Sequence, residues 1–329
     1  MSAKARTLSL SAVLRMTDQD AEAAFIRVRW AATDGKPVCP HCECPTVYER
    51  RRPNGAPRWR CKACWRDFTV TSGTLFAHHK MPLRNYLAAI AVFCNEVKGK
   101  SALALSRDLD VQYKTAFVLA HKLREAMASE MKDKPIGGVG KTAEIDGGYF
   151  GGYVKPANHK ENRRDLRLAR NQTGKRQVVV VVRERDGRTL PAVFKSESAA
   201  LGFIASRIAK GTELVADESK SWNDLHSRFL VSRIDHDQAY SHGGVYTNGT
   251  EEFFSRMRRA EIGHHHHVAG PYLVRYAQES TWREDHRRLD NGRQTQAVMG
   301  LAMACRPSVD WCGYWQRYSR TKTEAWGRG

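Results

Sequence analysis

Apolar positions along the chain follow first a helical and then a strand-like spacing. Residues 17–30 carry helix formers behind a Thr or Asp cap, which predicts a short helix. From Leu83 to Asn95 the apolar residues Leu87, Ile90, Ala91, Phe93 and Cys94 fall on one helical face. A capped helix is expected from Ser101 to Leu109, a tight turn at Asp110-Val111, and a second helix from about Gln112 to Met127. Lys134-Pro-Ile-Gly-Gly-Val-Gly140 then breaks the pattern as a linker. Beyond it Ala143-Glu-Ile-Asp146 reads as a strand ending at Asp146. Gln177 to Glu184 is an apolar strand that turns at Asp186-Gly187 and returns as Thr189 to Phe194. Ser198 to Lys210 reads as a helix, Thr212 to Asp217 as a buried strand, and the chain is helical again from Phe253. Strand, hairpin, helix, strand and helix in that order predict an α/β fold on one mixed sheet.

Composition narrows the class. The chain has 329 residues, 41% of them hydrophobic, enough for a real core. No run reaches the roughly 18–20 apolar residues of a membrane span, and Met1 to Met16 lacks the apolar centre of a secretory signal, so a cytoplasmic protein is expected. Lys and Arg number 54 against 35 Asp and Glu, a net charge of +19 that calls for a polyanion, most often nucleic acid. In that setting the two helices around Asp110-Val111 have the outline of a helix-turn-helix, whose second helix would offer Gln112, Tyr113 and Lys114 to base edges. A plain helical hairpin has the same periodicity.

Five of the eight cysteines lie between residues 39 and 64. Cys39-Pro-His-Cys42 and Cys61-Lys-Ala-Cys64 are two C-x2-C pairs with 18 residues between them. Each two-residue gap lets a tight turn aim two thiolates at one ion, and two such turns complete a tetrahedral S4 shell, so structural Zn2+ is expected. The segment between them reads as two short strands about Pro53-Asn54-Gly55, a zinc ribbon. Cys44 is left out because a one-residue gap is a poor bite. Cys94, Cys305 and Cys312, without partners at metal spacing, are expected as small buried hydrophobes.

Three acids stand out by position. Asp146 and Asp217 end predicted strands and Glu251 opens a predicted helix. Carboxylates at the ends of neighbouring strands can converge at the edge of an α/β sheet, where Mg2+ or Mn2+ would neutralise them. Any one of them alone reads equally as a turn residue or a helix cap. Asn248 shares a helical face with Glu251, whereas Glu252 points about 100° away; Glu279 lies on a later helix. Arg163, Arg164 and Arg167 belong to a basic tract that either contacts phosphate or is a solvated loop. Gly263-His-His-His-His-Val has histidines suited to metal, DNA contact or a turn.

Together the ribbon cysteines, Ala143-Glu-Ile-Asp146-Gly-Gly-Tyr-Phe-Gly-Gly, Val215-Ala-Asp217-Glu, Thr247-Asn-Gly-Thr-Glu251-Glu-Phe-Phe-Ser-Arg-Met-Arg258-Arg and Tyr272-Leu-Val-Arg-Tyr-Ala-Gln-Glu279-Ser-Thr-Trp-Arg283 carry a specific resemblance. The chain resembles insertion-sequence DDE transposases of the ISXO-like group, with an N-terminal zinc ribbon and an RNase H-like catalytic domain on a mixed five-stranded sheet. The resemblance implies Asp146, Asp217 and Glu251 as the catalytic acids, with Asn248 as an alternative or companion and Arg258, seven residues after Glu251, as the accompanying basic residue. It implies an N-terminal helical segment (1–34), the ribbon (35–76), the helix-turn-helix region (80–132), a linker (133–140), the RNase H-like domain (141–290) and a C-terminal tail (291–329). The activity implied is metal-dependent cleavage and strand transfer on the terminal inverted repeats of a mobile element. Double-stranded DNA would be the partner, at least a dimer would assemble on it, and the protein would work at the bacterial nucleoid. A zinc-ribbon transcription regulator, or an RNase H-like nuclease or resolvase without strand transfer, are the other expectations.

Overall fold

Capping chemistry starts the first helices. Ser9 caps α1 (Leu10–Arg15), and Thr17 forms a reciprocal capping box with Asp20 at the head of α2 (Asp18–Arg29). The computed structural model describes residues 6–51, 55–166, 168–171, 176–235, 241, 243–268 and 270–316. They divide into two compact units, residues 6–130 with 286–316 and residues 131–285.

In the first unit, β1 (Val47–Arg51), β2 (Pro57–Cys61) and β3 (Asp67–Phe68) form a small antiparallel sheet. Its apolar face is thin. Trp59 and Phe68 meet Trp30 of the preceding helix edge-on, with ring centroids 5.1 and 6.4 Å away. α3 (Leu83–Asn95) is buried from Leu87 to Cys94. α4 (Ala102–Asp108), capped by Ser101, and α5 (Tyr113–Ser129) meet across Asp110, whose left-handed φ of 51° makes the turn. Lys100 ties the end of α3 to α4, bonding Glu96 and Asp108 at 2.8 Å each.

The second unit is built on a five-stranded sheet. β4 (Thr142–Phe150) lies at its centre. The short hairpin β5 (Val154–Lys155) and β6 (Arg164–Asp165) stands apart from it. β7 (Gln177–Glu184) pairs antiparallel with β4, and β8 (Thr189–Phe194) antiparallel with β7. After α6 (Leu201–Arg207) the chain adds β9 (Glu213–Asp217) and β10 (Leu230–Ile234) on the other side of β4, both parallel. The resulting order, β10-β9-β4-β7-β8, is that of an RNase H-like sheet.

The valine run explains how both faces are covered. Val178, Val180 and Val182 point with Ile145, Leu214 and Ala216 into a core closed by Ile204 and Trp222. Val179 and Val181 point oppositely, into a core with Phe253, Phe254 and Met257 of α7 (Asn248–Ala260) and Leu273, Val274 and Ala277 of α8 (Leu273–His286). A continuous apolar run of this kind marks a strand buried on both sides. Pro191 sits on β8, an edge strand, where its missing N–H costs no ladder bond.

Several expectations change. Asp146 does not end its strand: β4 runs on through Gly147 and Gly148 to Phe150. These two glycines allow close approach of neighbouring side chains. A Cβ on Gly148 would lie 2.5 Å from the Phe254 ring, and one on Gly147 2.7 Å from the Glu197 carboxylate. The helix expected over 198–210 is a 3-10 turn, Ser198–Ala200, followed by α6, which stops where Ile208 bridges Ile136. α7 starts at Asn248, five residues before Phe253, because its apolar face begins only there. α9 (Asn291–Ala304) lies in the stretch expected as a tail and is built into the first unit, where the Leu75 amide donates to the Ala302 carbonyl at 3.2 Å. Cys94 is buried and Cys305 half-buried, but Cys312 is exposed and is not the buried residue expected.

Gly148 and Gly202 separate packing from propensity. Gly148→Ala is expected to destabilise by about 1–3 kcal/mol through overpacking against Phe254. Gly202→Ala, in open space on α6, should instead stabilise by up to about 1 kcal/mol. Denaturant unfolding of the two variants checks both signs.

Candidate metal centre and acidic site

The four ribbon cysteines converge. Cys39 and Cys64 Sγ stand 3.6 Å apart, Cys42 and Cys61 Sγ 3.5 Å apart, and all four sulfurs lie within 4.8 Å of one another. A tetrahedral shell with Zn–S bonds of ~2.3 Å places its sulfurs ~3.8 Å apart, so the donor set fits Zn2+. Both knuckles close the same way: the residue after each second cysteine, Glu43 and Trp65, takes a left-handed φ of 59°. Cys61 Sγ accepts the amides of Cys64 and Ala63 at 3.4 and 3.3 Å, which pull its thiol down to about 6, towards the ligating thiolate. Cys44 is outside the cluster and bonds Thr46. This is a structural zinc site.

The acids gather on the second unit. Strands β4 and β9 run parallel with Ile145 opposite Ala216, so Asp146 and Asp217 follow side by side. Glu251 lies in the first turn of α7, on the face of the sheet that Phe253 and Phe254 cover, and Asn248 is the first residue of that helix, exposed. Burial and the neighbouring charges of Asp217, Glu197 and Glu251 push the Asp146 carboxyl up to about 6, although its Oδ1 accepts the Gly147 amide at 2.6 Å. Among the described residues, the cysteines alone bring ligand atoms within 4.8 Å of one another in a group. The carboxylates are neighbours through their fields.

Two side chains beside these acids carry no signal in the sequence. Glu197 sits between β8 and α6, and its Oε2 accepts the Ser219 hydroxyl at 2.9 Å. Trp222, fully buried, donates its indole N–H to Asp217 Oδ1 at 2.7 Å. Arg233 holds the Asp217 and Ser219 carbonyls at 2.6 and 3.0 Å. Glu252 and Glu279 are engaged elsewhere, Glu252 with Arg256 and Glu279 with Arg283. Arg258 is exposed near the end of α7, its guanidinium over the Phe254 ring.

The candidate DNA contacts are placed as follows. Gln112 is the N-cap position of α5, and Tyr113 is half-exposed. Gln112 lines a cleft of about 410 Å3 with Lys80 and Lys122. Lys114 lies against Trp315, whose indole donates to the Lys114 carbonyl at 3.3 Å while the ammonium sits over the ring. Arg163 and Arg164 flank the β5–β6 hairpin, holding the Ala157 carbonyl and Asn171; Arg167 lies outside the described residues. The histidine tract forms a π-turn over Glu261–His265, with His265 edge-on to Tyr276. Among the described residues, no helix is long and apolar enough to cross a membrane.

Comparison with known proteins agrees with this layout. Residues 138–285 match the ISXO2-like transposase domain, and residues 16–67 match the transposase zinc-ribbon domain. The chain is also 24% identical, over 74% of its own length and 83% of the relative's, to an uncharacterised protein in transposable element ISH50 of Halobacterium salinarum.

The thin ribbon core makes the metal essential to that sheet. One zinc per chain is expected by elemental analysis. Stripping it with a chelator should expose the Trp30–Trp59–Phe68 cluster, because zinc-binding energies on the order of 10 kcal/mol exceed what so few apolar groups supply. Protease cleavage confined to residues 39–68 would report it. An intact, protease-resistant ribbon after complete zinc removal would show that the cysteines are not structural ligands.

Proposed function

Since the chain belongs to the zinc-ribbon insertion-sequence transposases of the ISXO2-like group, we propose that it binds the terminal inverted repeats of its own element and cleaves and joins DNA there. The observation that carries this reading is Asp146. Its carboxyl is pushed up to about 6 by burial and by the carboxylates around it, an arrangement that a fold seeking only stability has no use for. Hard carboxylate oxygens from Asp146, Asp217 and Glu251, with Asn248 beside them, fit Mg2+ or Mn2+. When bound, divalent ions would supply charge neutralisation and polarisation of phosphoryl oxygens for in-line phosphoryl transfer.

The chain's own residues have distinct tasks in that reaction. Trp222 holds one oxygen of Asp217 and so fixes which oxygen remains for a ligand. Arg258 stands two helical turns from Glu251 on the same helix and would meet phosphate. In the first unit Gln112, Tyr113 and Lys114 at the head of α5 would read the terminal repeat, with Arg163, Arg164 and Arg167 holding backbone near the acids. Joining two element ends in one event requires at least two protomers on DNA, acting at the nucleoid.

Asp146→Asn keeps the shape and removes the charge. It is expected to lower metal-dependent nicking of a terminal-repeat duplex by at least about 100-fold while end binding by gel shift stays within about 2-fold. Retained nicking would sink the acidic site. Unchanged binding with no nicking by the parent protein in Mg2+ or Mn2+ would favour a regulator, and nicking without strand transfer a nuclease.

Titration supplies a second check. Because the folded-state carboxyl lies above its ordinary 3.8, its contribution to stability is fully present below that value and is lost as pH rises through about 6. The metal-free protein should therefore gain more melting temperature from Mg2+ at pH 7.5 than at pH 5, and Asp146→Asn should abolish the difference. An equal gain at both pH values would overturn it.

A further inference from the structure

Helix α7 begins without a side-chain cap from Thr247, whose carbonyl accepts the Thr250 and Glu251 amides at 3.1 Å each but leaves the Gly249 amide to another acceptor. The missing acceptor comes from 105 residues away in sequence. Glu144, on β4 two residues before Asp146 and 2% exposed, accepts the Gly249 amide at 2.8 Å and the Thr250 amide at 3.1 Å through Oε2. Its other oxygen meets Arg185 Nε at 3.2 Å. Arg185 in turn holds the Gly244 and Tyr246 carbonyls at 3.2 and 2.9 Å, with its guanidinium 3.7 Å from the Tyr246 ring. From the next position on the same face, Arg183 grips the Gly249 carbonyl at 3.1 Å and Glu284 at 3.0 Å.

A buried carboxylate would be costly here without these donors, and it gains most where the positive end of a helix dipole meets it. Successive same-face positions on a strand are about 6.6 Å apart, so Glu144 and Asp146 form one rigid ruler. One end of the ruler carries the first candidate catalytic acid. The other is bonded to the first turn of the helix that carries Asn248 and Glu251. No room is left for slip: a Cβ on Gly249 would fall 2.7 Å from Glu144 Oε2 and 3.2 Å from Arg183.

We infer that Glu144 is a positioning residue, a remote cap that sets the distance between Asp146 on β4 and the Asn248–Glu251 turn of α7, with Arg185 steering it. The inference rests on the proposed acidic site for its catalytic consequence but not for its structural one. Glu144 touches neither substrate nor reacting atoms; it acts through two backbone amides.

The test uses the full chain, with three variants and two readouts. Hydrogen exchange follows the peptide over residues 247–254, and nicking of a terminal-repeat duplex is titrated with Mn2+. Glu144→Ala should speed exchange in that peptide at least about 10-fold with the β7 and β8 peptides unchanged, and raise the Mn2+ needed for half-maximal nicking about 10-fold or more. Glu144→Gln, which still offers an oxygen to the amides, should restore both to within about 3-fold of the parent. Gly249→Ala, ordinarily favourable in a helix, should instead mimic Glu144→Ala by displacing the cap, and it decides the matter if Glu144→Ala does not fold. Unchanged exchange at 247–254 in both Glu144→Ala and Gly249→Ala would overturn the remote cap. Faster exchange with an unaltered Mn2+ titration would overturn the positioning role while leaving the acidic site standing. A parent protein that does not nick, with faster exchange in the variants, would keep the cap but remove the catalytic reading, and with it the positioning role.

Discussion

Like charge brought together on a sheet is the constraint on which the second unit turns. Asp146 and Asp217 stand on adjacent parallel strands, with Glu197 and Glu251 close enough to raise the Asp146 carboxyl. The repulsion has to be offset by the rest of the fold, and the surroundings show how. Both faces of β4 and β7, and one face of β9, are packed with apolar side chains, which resists splaying of the strands to separate the charges. The buried valines of β7 and the aromatic face of α7 thus do more than fill volume. They hold an unfavourable electrostatic arrangement in place.

Nearby arginines could relieve that repulsion, but they are committed elsewhere. Arg183 bonds Glu284 and a helix carbonyl, Arg185 bonds Glu144 and loop carbonyls, and Arg233 bonds the backbone of Asp217 and Ser219 together with Asn223. Each serves shape. In a basic protein this division matters, because an arginine laid across Asp146 would lower its carboxyl and close the site to any cation.

Much of this was readable from residue order, wherever the signal is local. The C-x2-C spacing encodes its own geometry within four residues, and the Thr17–Asp20 box and Ser101 cap act within one turn. The valine run of β7 and its return strand carry the strand signal in their own composition. The features that escaped act through space. Trp222 is indistinguishable from a core residue until its indole is seen on Asp217. Glu197 lies in a polar stretch with no pattern, and Glu144 is one more acid before the motif until it meets α7 from 105 residues away. The continuation of β4 past Asp146 is of the same kind: Gly147 and Gly148 are clearance for Glu197 and Phe254 on opposite faces of a continuing strand.

The two units solve the problem of holding charged ligands in opposite ways. In the ribbon, four soft sulfurs lie at the spacing of one closed shell, their turns set by local backbone and by amide bonds to sulfur. On the sheet the acids are held by long-range packing, are not drawn within one ligand shell of each other, and retain mutual repulsion. A closed shell of that kind suits a metal whose task is to hold a fold together. An open, repelling set would suit the proposed divalent ions, because coordination positions that the protein leaves open on an ion are the ones phosphate oxygens can take. Under the proposed reading the net charge of +19 and the acidic centre would be complementary: the excess of Lys and Arg would offset the cost of bringing DNA to carboxylates that otherwise repel it.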